Sequence, residues 1–274
     1  INLAVVLELP LVVINVQRGG PSTGLPTKTE QTDLLSVLFG RNGESPVPVL
    51  AAATSGDCFD LAVEAFRIAT RYMTPVYLLS DGYLANNSEP WKIPDVDEIE
   101  PIVVRHRVDP NGYLPYMRDP ETLARPWVIP GTSGLEHRIG GLGKRDVTGE
   151  VSYSPQDHEE IVSQRAQKIA GISEFAPELE VDGPEQGELL ELGWGGTFGA
   201  IKAAVEHVKQ EGRPVASAHL RYLNPFPKNL GNVLSRYRQV LVPELNMGQL
   251  SFLLQGRYPV RVIPLNKVQG QPFQ

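Results

Sequence analysis

Cysteine is almost absent from this sequence, which has only Cys58. A single thiol excludes an internal disulfide framework, and one chain with one cysteine cannot supply an iron–sulfur cluster by itself. The five histidines show none of the spacings that metal sites use; they are His106, His137, His158, His207 and His219. The sequence therefore predicts no metal site within this chain.

Positive charge and long apolar runs are also lacking. Asp and Glu total 32 against 25 Lys and Arg, so the net charge of −7 gives no general attraction to nucleic acid or an anionic membrane. No apolar run approaches the ~18 residues of a membrane span, and no basic segment followed by an apolar one marks a signal peptide. The 41% of hydrophobic residues excludes a disordered or fibrous protein. Together these features lead us to expect a soluble cytoplasmic protein.

In the first part of the chain, short apolar runs typical of strands alternate with segments that have helical periodicity. Helical spacing covers residues 29–40, and a second helix is predicted from Asp57, as N-cap, to Met73. Three β-branched or aliphatic runs have the composition of buried parallel strands: residues 11–16, 47–53 and 75–79. This alternation predicts a doubly wound α/β sheet.

The second part of the chain predicts another α/β unit after a long connector. Periodicity disappears between Pro90 and Pro130, where eight prolines occur. We interpret residues 90–150 as an ordered connector, followed by a polar helix from Pro155 to about Ala170. Four further strands and one helix are predicted: 189–192, 215–220, 239–243 and 260–263, with the helix over 197–208. Two α/β domains are expected, residues 1–175 and 176–274.

The segment richest in chemical groups is QRGGPSTGLPTKTEQ, residues 17–31. It follows a predicted strand, at the carboxyl edge where open α/β sheets bind ligands. Arg18 offers a planar fork for a carboxylate or phosphate, and Ser22, Thr23 and Thr27 offer hydroxyls. Two interpretations are equally compatible with these residues. The loop either binds an anion, or Arg18 pairs with a neighbouring acid while the hydroxyls cap the next helix.

Other candidate residues favour structural roles. The turn Gly193–Gly199 is not a P-loop and fits a dinucleotide fingerprint poorly, so close packing of a strand against a helix is favoured. Asp81 is interpreted as a turn aspartate in preference to a site residue. Cys58 lies near a helix start without a nearby histidine, which favours a buried structural thiol. His219 is predicted to be a packing or surface residue.

Residues 18–31 resemble the substrate loop of the 2-oxoacid:ferredoxin oxidoreductases, specifically the α subunit of the 2-oxoglutarate type. The resemblance covers nearly the whole chain. Further segments that fit the same family are 54–59, 79–82, 134–138, 223–227, 243–250 and 266–273. Their order along the chain makes chance similarity implausible.

The resemblance implies a thiamine-diphosphate enzyme that decarboxylates 2-oxoglutarate, passes electrons through a [4Fe–4S] cluster to ferredoxin and forms succinyl-CoA from coenzyme A. It implies an incomplete thiamine-pyrimidine-binding-like domain followed by a transketolase-C-like domain. A β subunit is expected to hold the diphosphate, Mg²⁺ and the cluster in an (αβ)₂ assembly. Arg18 is expected to bind the substrate carboxylate, and Thr27 to contact substrate or coenzyme A. Ser22 and Thr23 are further substrate-binding candidates.

The resemblance also implies that this chain is inactive alone. Ile1 lies in what reads as the second half of a helix, and the family's pyrimidine-activating glutamate, its Tyr-Pro-Ile-Thr-Pro motif and its γ-like domain are expected upstream. In some members of the family an acidic residue is expected to recognise the end of the substrate far from the 2-oxo group. The corresponding segment of this chain is residues 140–146, GGLGKRD. Two alternatives therefore stay open: a pyruvate or branched-chain 2-oxoacid oxidoreductase, and a non-catalytic nucleotide-binding or scaffold module.

Overall fold

The computed structural model describes residues 1–274, which form two sheets with helices packed on their faces. The helices are α1 Asn2–Leu7, α2 Leu34–Phe39, α3 Asp57–Tyr72, α4 Gly82–Asn86, α5 Pro155–Gly171, α6 Phe198–Gln210, α7 Leu230–Ser235 and α8 Gln249–Arg257. The strands are β1 Leu11–Gln17, β2 Val49–Ala51, β3 Pro75–Asp81, β4 Val181–Asp182, β5 Gly187–Trp194, β6 Ala216–Leu220, β7 Tyr222–Asn224, β8 Tyr237–Glu244 and β9 Val262–Asn266. The α/β class predicted from the sequence is confirmed.

The first sheet has the strand order β1-β3-β2-β7. Strands β1, β3 and β2 are parallel, and β7 pairs antiparallel with β2. The register aligns Gln17 with Asp81, so the segments that follow β1 and β3 leave the sheet side by side. The candidate loop after Gln17 is therefore placed at the carboxyl edge of a parallel sheet.

The second sheet has the order β4-β6-β5-β8-β9, in which β6, β5, β8 and β9 are parallel. Alternating side chains of the first sheet face two different cores. Leu50 and Leu78 pack with α3, whereas Val49 and Leu79 join one continuous core with the inner face of the second sheet. That shared core fixes the two carboxyl edges relative to each other.

Two local predictions are wrong. The helix expected from residue 29 begins only at Leu34, because Thr29 and Gln31 are used in side-chain hydrogen bonds to distant segments. Asp57 is not the N-cap of α3, a position that Gly56 occupies without a side-chain hydrogen bond. Instead, the carboxylate of Asp57 accepts from the Ala53 N–H at 2.8 Å and pairs with Arg221.

The long segment between α4 and α5 has no helix or strand apart from a 3₁₀ turn at Val96–Glu98 and isolated bridges, as its prolines predict. Ion pairs between buried side chains hold it to the rest of the chain. Arg118 of this connector binds Glu8 at 2.8 Å and Asp146 at 2.8 Å, and Lys168 of α5 binds the same Glu8 carboxylate. These groups form the Glu8 cluster: Glu8, Arg118, Asp146 and Lys168.

The domain boundary after residue 175 stays a prediction. Strand β7, at 222–224, lies beyond that boundary and nevertheless extends the first sheet. No helix of the structure is both long enough and apolar enough to span a membrane.

Candidate functional site

The loop of residues 18–28, here called the Arg18 loop, is closed by its own backbone. The Gly19 N–H donates to Lys28 O at 2.9 Å, and the Leu25 N–H donates to Gly19 O at 2.9 Å. The Arg18 guanidinium folds over this turn, donating through Nη2 to Ser22 O at 3.1 Å and through Nη1 to Thr23 O. The loop is thus a defined turn that orients the one arginine at its entrance.

The side chains of the Arg18 loop remain available for a ligand. Arg18, Ser22, Thr23 and Thr27 are all exposed, and the three hydroxyl groups have no hydrogen-bond partner within the chain. Arg18 forms no ion pair, and Asp33 rather than a loop hydroxyl residue precedes α2. The geometry therefore favours the anion-binding interpretation over the one in which Arg18 pairs with an acid.

Thr27 has an unusual backbone conformation, with φ +64°. A β-branched residue rarely adopts this left-handed region, because its branched side chain crowds the backbone. Such strain is stored where the surrounding structure fixes it, and it clusters at ligand-binding sites. The conformation of Thr27 is thus a second feature, independent of Arg18, that points to the loop as a functional segment.

Asp81 fixes the base of the Arg18 loop. Its Oδ1 accepts from the Thr29 hydroxyl at 3.0 Å and from the Tyr83 and Leu84 N–H groups at the start of α4. Its Oδ2 accepts from the Gly196 N–H at 2.9 Å, across the interface between the sheets. The predicted turn aspartate is confirmed, and the same carboxylate also joins three segments that are distant in sequence.

Gln31 provides a second link between the loop and the other sheet. Its side chain donates to Trp194 O at 2.7 Å and accepts from the Leu245 N–H at 2.9 Å. The buried Glu244 carboxylate organises the opposite side, accepting from Trp194 Nε1 at 3.2 Å and from the Leu250 N–H at 2.7 Å. Reasoning from residue chemistry missed Gln31 and Glu244, although both lie in segments that carried the family resemblance.

The glycine-rich turn after β5 is a packing element, as predicted. A Cβ at Gly193 would lie 2.3 Å from Ile201 Cδ1, and one at Gly196 would lie 2.5 Å from Asp81 Oδ2. The Gly196 N–H, which could otherwise donate to a phosphate, is already used by Asp81. The turn contributes to the site by holding the base of the Arg18 loop.

Cys58 and His219 occupy structural positions. Burial raises the pKa of the Cys58 thiol, whose Sγ donates to Thr54 O at 3.5 Å. Burial lowers the pKa of His219 to about 3, and its Nε2 donates to Gly195 O at 3.1 Å. Its ring packs edge-on against Phe198 with centroids 5.1 Å apart. A protonated thiol and a neutral imidazole in these surroundings serve packing.

The donor set of the chain fits an organic anion better than a metal ion. No three His, Cys, Asp or Glu side chains converge to hold a cation. What converges at the carboxyl edge is a guanidinium, free hydroxyls and a constrained backbone. This arrangement can bind a carboxylate through Arg18 and can place hydroxyl donors beside the rest of the molecule.

Two family models match this chain, one over the first part of the sequence and one over most of the second part. The profile described as "Pyruvate flavodoxin/ferredoxin oxidoreductase, thiamine diP-bdg" matches residues 1–153. The profile described as "Pyruvate:ferredoxin oxidoreductase core domain II" matches residues 188–258. The first match covers the Arg18 loop, Asp81 and the whole connector.

Curated relatives agree with these profiles. The chain is 56% identical over its whole length to 2-oxoglutarate oxidoreductase subunit KorA of Mycobacterium tuberculosis, of which it spans 42%. It is 27% identical over 99% of its length to 2-oxoglutarate synthase subunit KorA of Methanothermobacter marburgensis, spanning 72% of that protein.

A solved structure has the same fold. The 2-oxoglutarate:ferredoxin oxidoreductase from Magnetococcus marinus, with 2-oxoglutarate, coenzyme A and succinyl-CoA bound, superposes with a TM-score of 0.93 at 33% identity. The match covers 99% of this chain and 48% of that one. The chain therefore spans less than half the length of the Magnetococcus and Mycobacterium proteins.

Proposed function

Because the chain belongs to the pyruvate flavodoxin/ferredoxin oxidoreductase family, we propose that it is part of the α subunit of a thiamine-diphosphate-dependent 2-oxoglutarate:ferredoxin oxidoreductase. The reaction converts 2-oxoglutarate and coenzyme A to succinyl-CoA and CO₂, and an electron pair passes to ferredoxin. The observation that carries this proposal is the Arg18 loop, an exposed turn whose arginine has no acidic partner, in a chain that superposes on a 2-oxoglutarate:ferredoxin oxidoreductase with a TM-score of 0.93.

Arg18 is proposed to bind the carboxylate next to the 2-oxo group. A guanidinium fork matches a carboxylate in two parallel hydrogen bonds, which fixes direction as well as charge. Thr27 is proposed to contact the substrate or coenzyme A, and Ser22 and Thr23 to donate to substrate oxygens. All four side chains are exposed at the same edge, which supports a shared role.

Thiamine diphosphate, when bound, supplies the nucleophilic carbon that such decarboxylations require. This chain's donor set lacks a cation site for the diphosphate and Mg²⁺, so we assign those groups and the [4Fe–4S] cluster to a β subunit. Residues 1–175 are proposed as the pyrimidine-side domain and residues 176–274 as the second, transketolase-C-like domain. Residues 1–175 include the whole match to the thiamine-binding profile.

The test uses the full-length α subunit co-expressed with its β subunit. The purified complex is assayed for coenzyme A-dependent reduction of a viologen dye with 2-oxoglutarate, pyruvate and a branched-chain 2-oxoacid in parallel. The proposal expects 2-oxoglutarate to give the highest catalytic efficiency. A preference for pyruvate or a branched-chain 2-oxoacid would show that the substrate assignment is wrong. The absence of activity with every 2-oxoacid would reject the enzymatic function.

A further inference from the structure

The C-terminal segment, residues 267–274, folds back against the Arg18 loop. The Lys267 N–H donates to Glu244 O at 3.0 Å, which anchors the segment to the end of β8. The Lys267 ammonium then donates to Pro272 O at 2.7 Å and lies 5.6 Å from the centre of the Phe273 ring. These contacts close the segment into a turn, here called the C-terminal turn, with Gly270 at its tip.

Gly270 is the point of contact between the two turns. It is buried, although Gln269 and Gln271 on either side are exposed. Its φ is +65°, and a Cβ at this position would lie 2.9 Å from Lys28 Cβ and 3.2 Å from Leu25 Cδ1. The backbone of Gly270 therefore packs directly against two side chains of the Arg18 loop, and no larger residue fits without displacing them.

The two residues that Gly270 contacts flank the strained Thr27. Leu25 and Lys28 also close the loop, through the Lys28 N–H to Leu25 O at 3.2 Å and the Gly19 N–H to Lys28 O at 2.9 Å. A displacement of Lys28 is therefore transmitted to Thr27 on one side and, through Gly19, to Arg18 on the other. Thr27, with its left-handed backbone, lies inside the turn that the Lys28 N–H to Leu25 O bond closes.

We infer that Gly270 is a positioning residue for substrate binding: the C-terminal turn holds Leu25 and Lys28 so that Thr27 and Arg18 face the 2-oxoacid. This inference rests on the proposed function, in which the Arg18 loop binds the substrate carboxylate. Gly270 touches no substrate itself. Its effect is to fix the loop before the substrate arrives, which removes an ordering cost from binding.

The test compares Gly270→Ala with Gly212→Ala in the complete αβ enzyme. Gly212 is an exposed glycine with φ +78° and nothing within 4 Å of its Cβ position, so alanine suffers the same backbone strain there without a collision. Gly270→Ala is expected to raise the KM for 2-oxoglutarate at least ~5-fold, with kcat changed by less than about twofold, because misplacement of binding groups weakens substrate binding. Gly212→Ala is expected to leave the KM unchanged.

A purely structural role for Gly270 would lower the melting temperature and the yield of active enzyme while leaving the KM at the Gly212→Ala value. That result would overturn the inference. The double variant Gly270→Ala/Lys28→Gly removes the Cβ with which the new methyl group collides. The KM increase of the double variant is expected to fall short of the product of the two single increases. Independent effects would contradict transmission through Lys28.

The substrate of the proposed function is tested separately by the wild-type complex. If that complex oxidises pyruvate or a branched-chain acid instead of 2-oxoglutarate, the substrate assignment is wrong. The KM values of the wild type, the three single variants (Gly270→Ala, Gly212→Ala and Lys28→Gly) and the double variant for the acid that is oxidised then decide whether Gly270 positions the loop.

Discussion

The guanidinium of Arg18 donates hydrogen bonds to two backbone carbonyl oxygens of its own loop, those of Ser22 and Thr23. A guanidinium carries five N–H donors, so these contacts orient the group without using all of its donors. Two neutral carbonyls do not compensate the positive charge. An incoming carboxylate can therefore gain a charge-assisted pair that the free loop lacks.

Substitution of Arg18 by lysine tests this geometry. Lysine keeps the charge but loses the planar fork, so we expect the catalytic efficiency of the complete enzyme to fall at least ~10-fold, about 1.4 kcal/mol of transition-state binding. Steady-state kinetics with 2-oxoglutarate measures the effect. Arg213→Lys is the matched control, because Arg213 is an exposed arginine in a surface pair with Glu211. Equal kinetics for both variants would refute the role of Arg18.

Cys58 is expected to be structural. Its thiol is the only one in the chain, and burial raises its pKa, which disfavours the thiolate form that ligates iron. A [4Fe–4S] cluster is held by about four cysteine thiolates, and we assign these to the β subunit. We therefore expect Cys58→Ser to leave the iron content and visible absorbance of the assembled enzyme unchanged. Loss of the cluster absorbance would contradict its assignment to a β subunit.

Residue chemistry predicted single positions better than their long-range contacts. Asp81 was recognised as a turn residue from its place after a strand, and its bonds to Tyr83 and Leu84 are local. Its bonds to Thr29 and Gly196 join segments 52 and 115 residues away, and no local pattern encodes them. The same holds for Gln31, whose partners Trp194 and Leu245 lie in the second sheet.

At the scale of elements, strong periodicity was a reliable guide and weak periodicity was not. Helix α3, with a continuous apolar face, occupies nearly the predicted residues. Helix α2 starts five residues late because tertiary hydrogen bonds take Thr29 and Gln31 out of the helix. Strand β7 has three residues and owes its existence to pairing with β2, so its sequence carried no signal of its own.

The Glu8 cluster joins three elements, and its disruption is expected to destabilise the assembled protein. Arg118 binds both oxygens of Glu8, at 2.8 and 2.9 Å, and Lys168 binds the same carboxylate. Removing one member leaves buried charges unpaired, which costs about 3–5 kcal/mol. We therefore expect Glu8→Gln to lower the melting temperature markedly. Glu211→Gln, at an exposed pair, is expected to change it little.

The same carboxylate predicts a pH dependence. Burial raises the pKa of Glu8, but the neighbouring Lys168 and Arg118 outweigh that effect and lower the pKa to about 2. Because the folded-state pKa lies below that of the unfolded chain, the stabilisation is complete above about pH 4.5 and is lost as the pH falls toward 2. Melting temperatures between pH 6 and pH 3 are expected to fall more for wild type than for Glu8→Gln. Parallel curves would contradict this.

At the scale of the whole molecule, one core joins the two sheets while several large apolar side chains stay exposed. Strand β1 lies at the edge of its sheet, and Ile14 is 57% exposed there. The connector exposes Ile93 at 78% and Val103 at 69%, without a helix or strand of its own around them. Exposed apolar side chains of this size are typical of protein interfaces where they form a contiguous patch. The sequence predicted the connector from its prolines, but only the structure shows which of its side chains are exposed.

The last prediction concerns the need for a partner. The Arg18 loop is exposed, and the apolar edge and connector offer the kind of surface that an obligate interface of about 2,000 Å² or more would cover. Expressed alone, the chain is expected to self-associate and to bind neither thiamine diphosphate nor 2-oxoglutarate tightly. Size-exclusion chromatography with light scattering, and calorimetric titration with each ligand, measure both properties.

The control for this prediction is co-expression of the full-length α subunit with the β subunit, which is expected to give one defined oligomer that binds both ligands. In that oligomer the exposed connector and the edge of β1 should become protected from hydrogen exchange, because an interface covers them. Arg18 should remain accessible to substrate. A well-behaved monomer of the chain that binds thiamine diphosphate at micromolar concentration would contradict both the shared site and the assignment of the diphosphate to a partner, because the chain would then bind the cofactor without a second subunit.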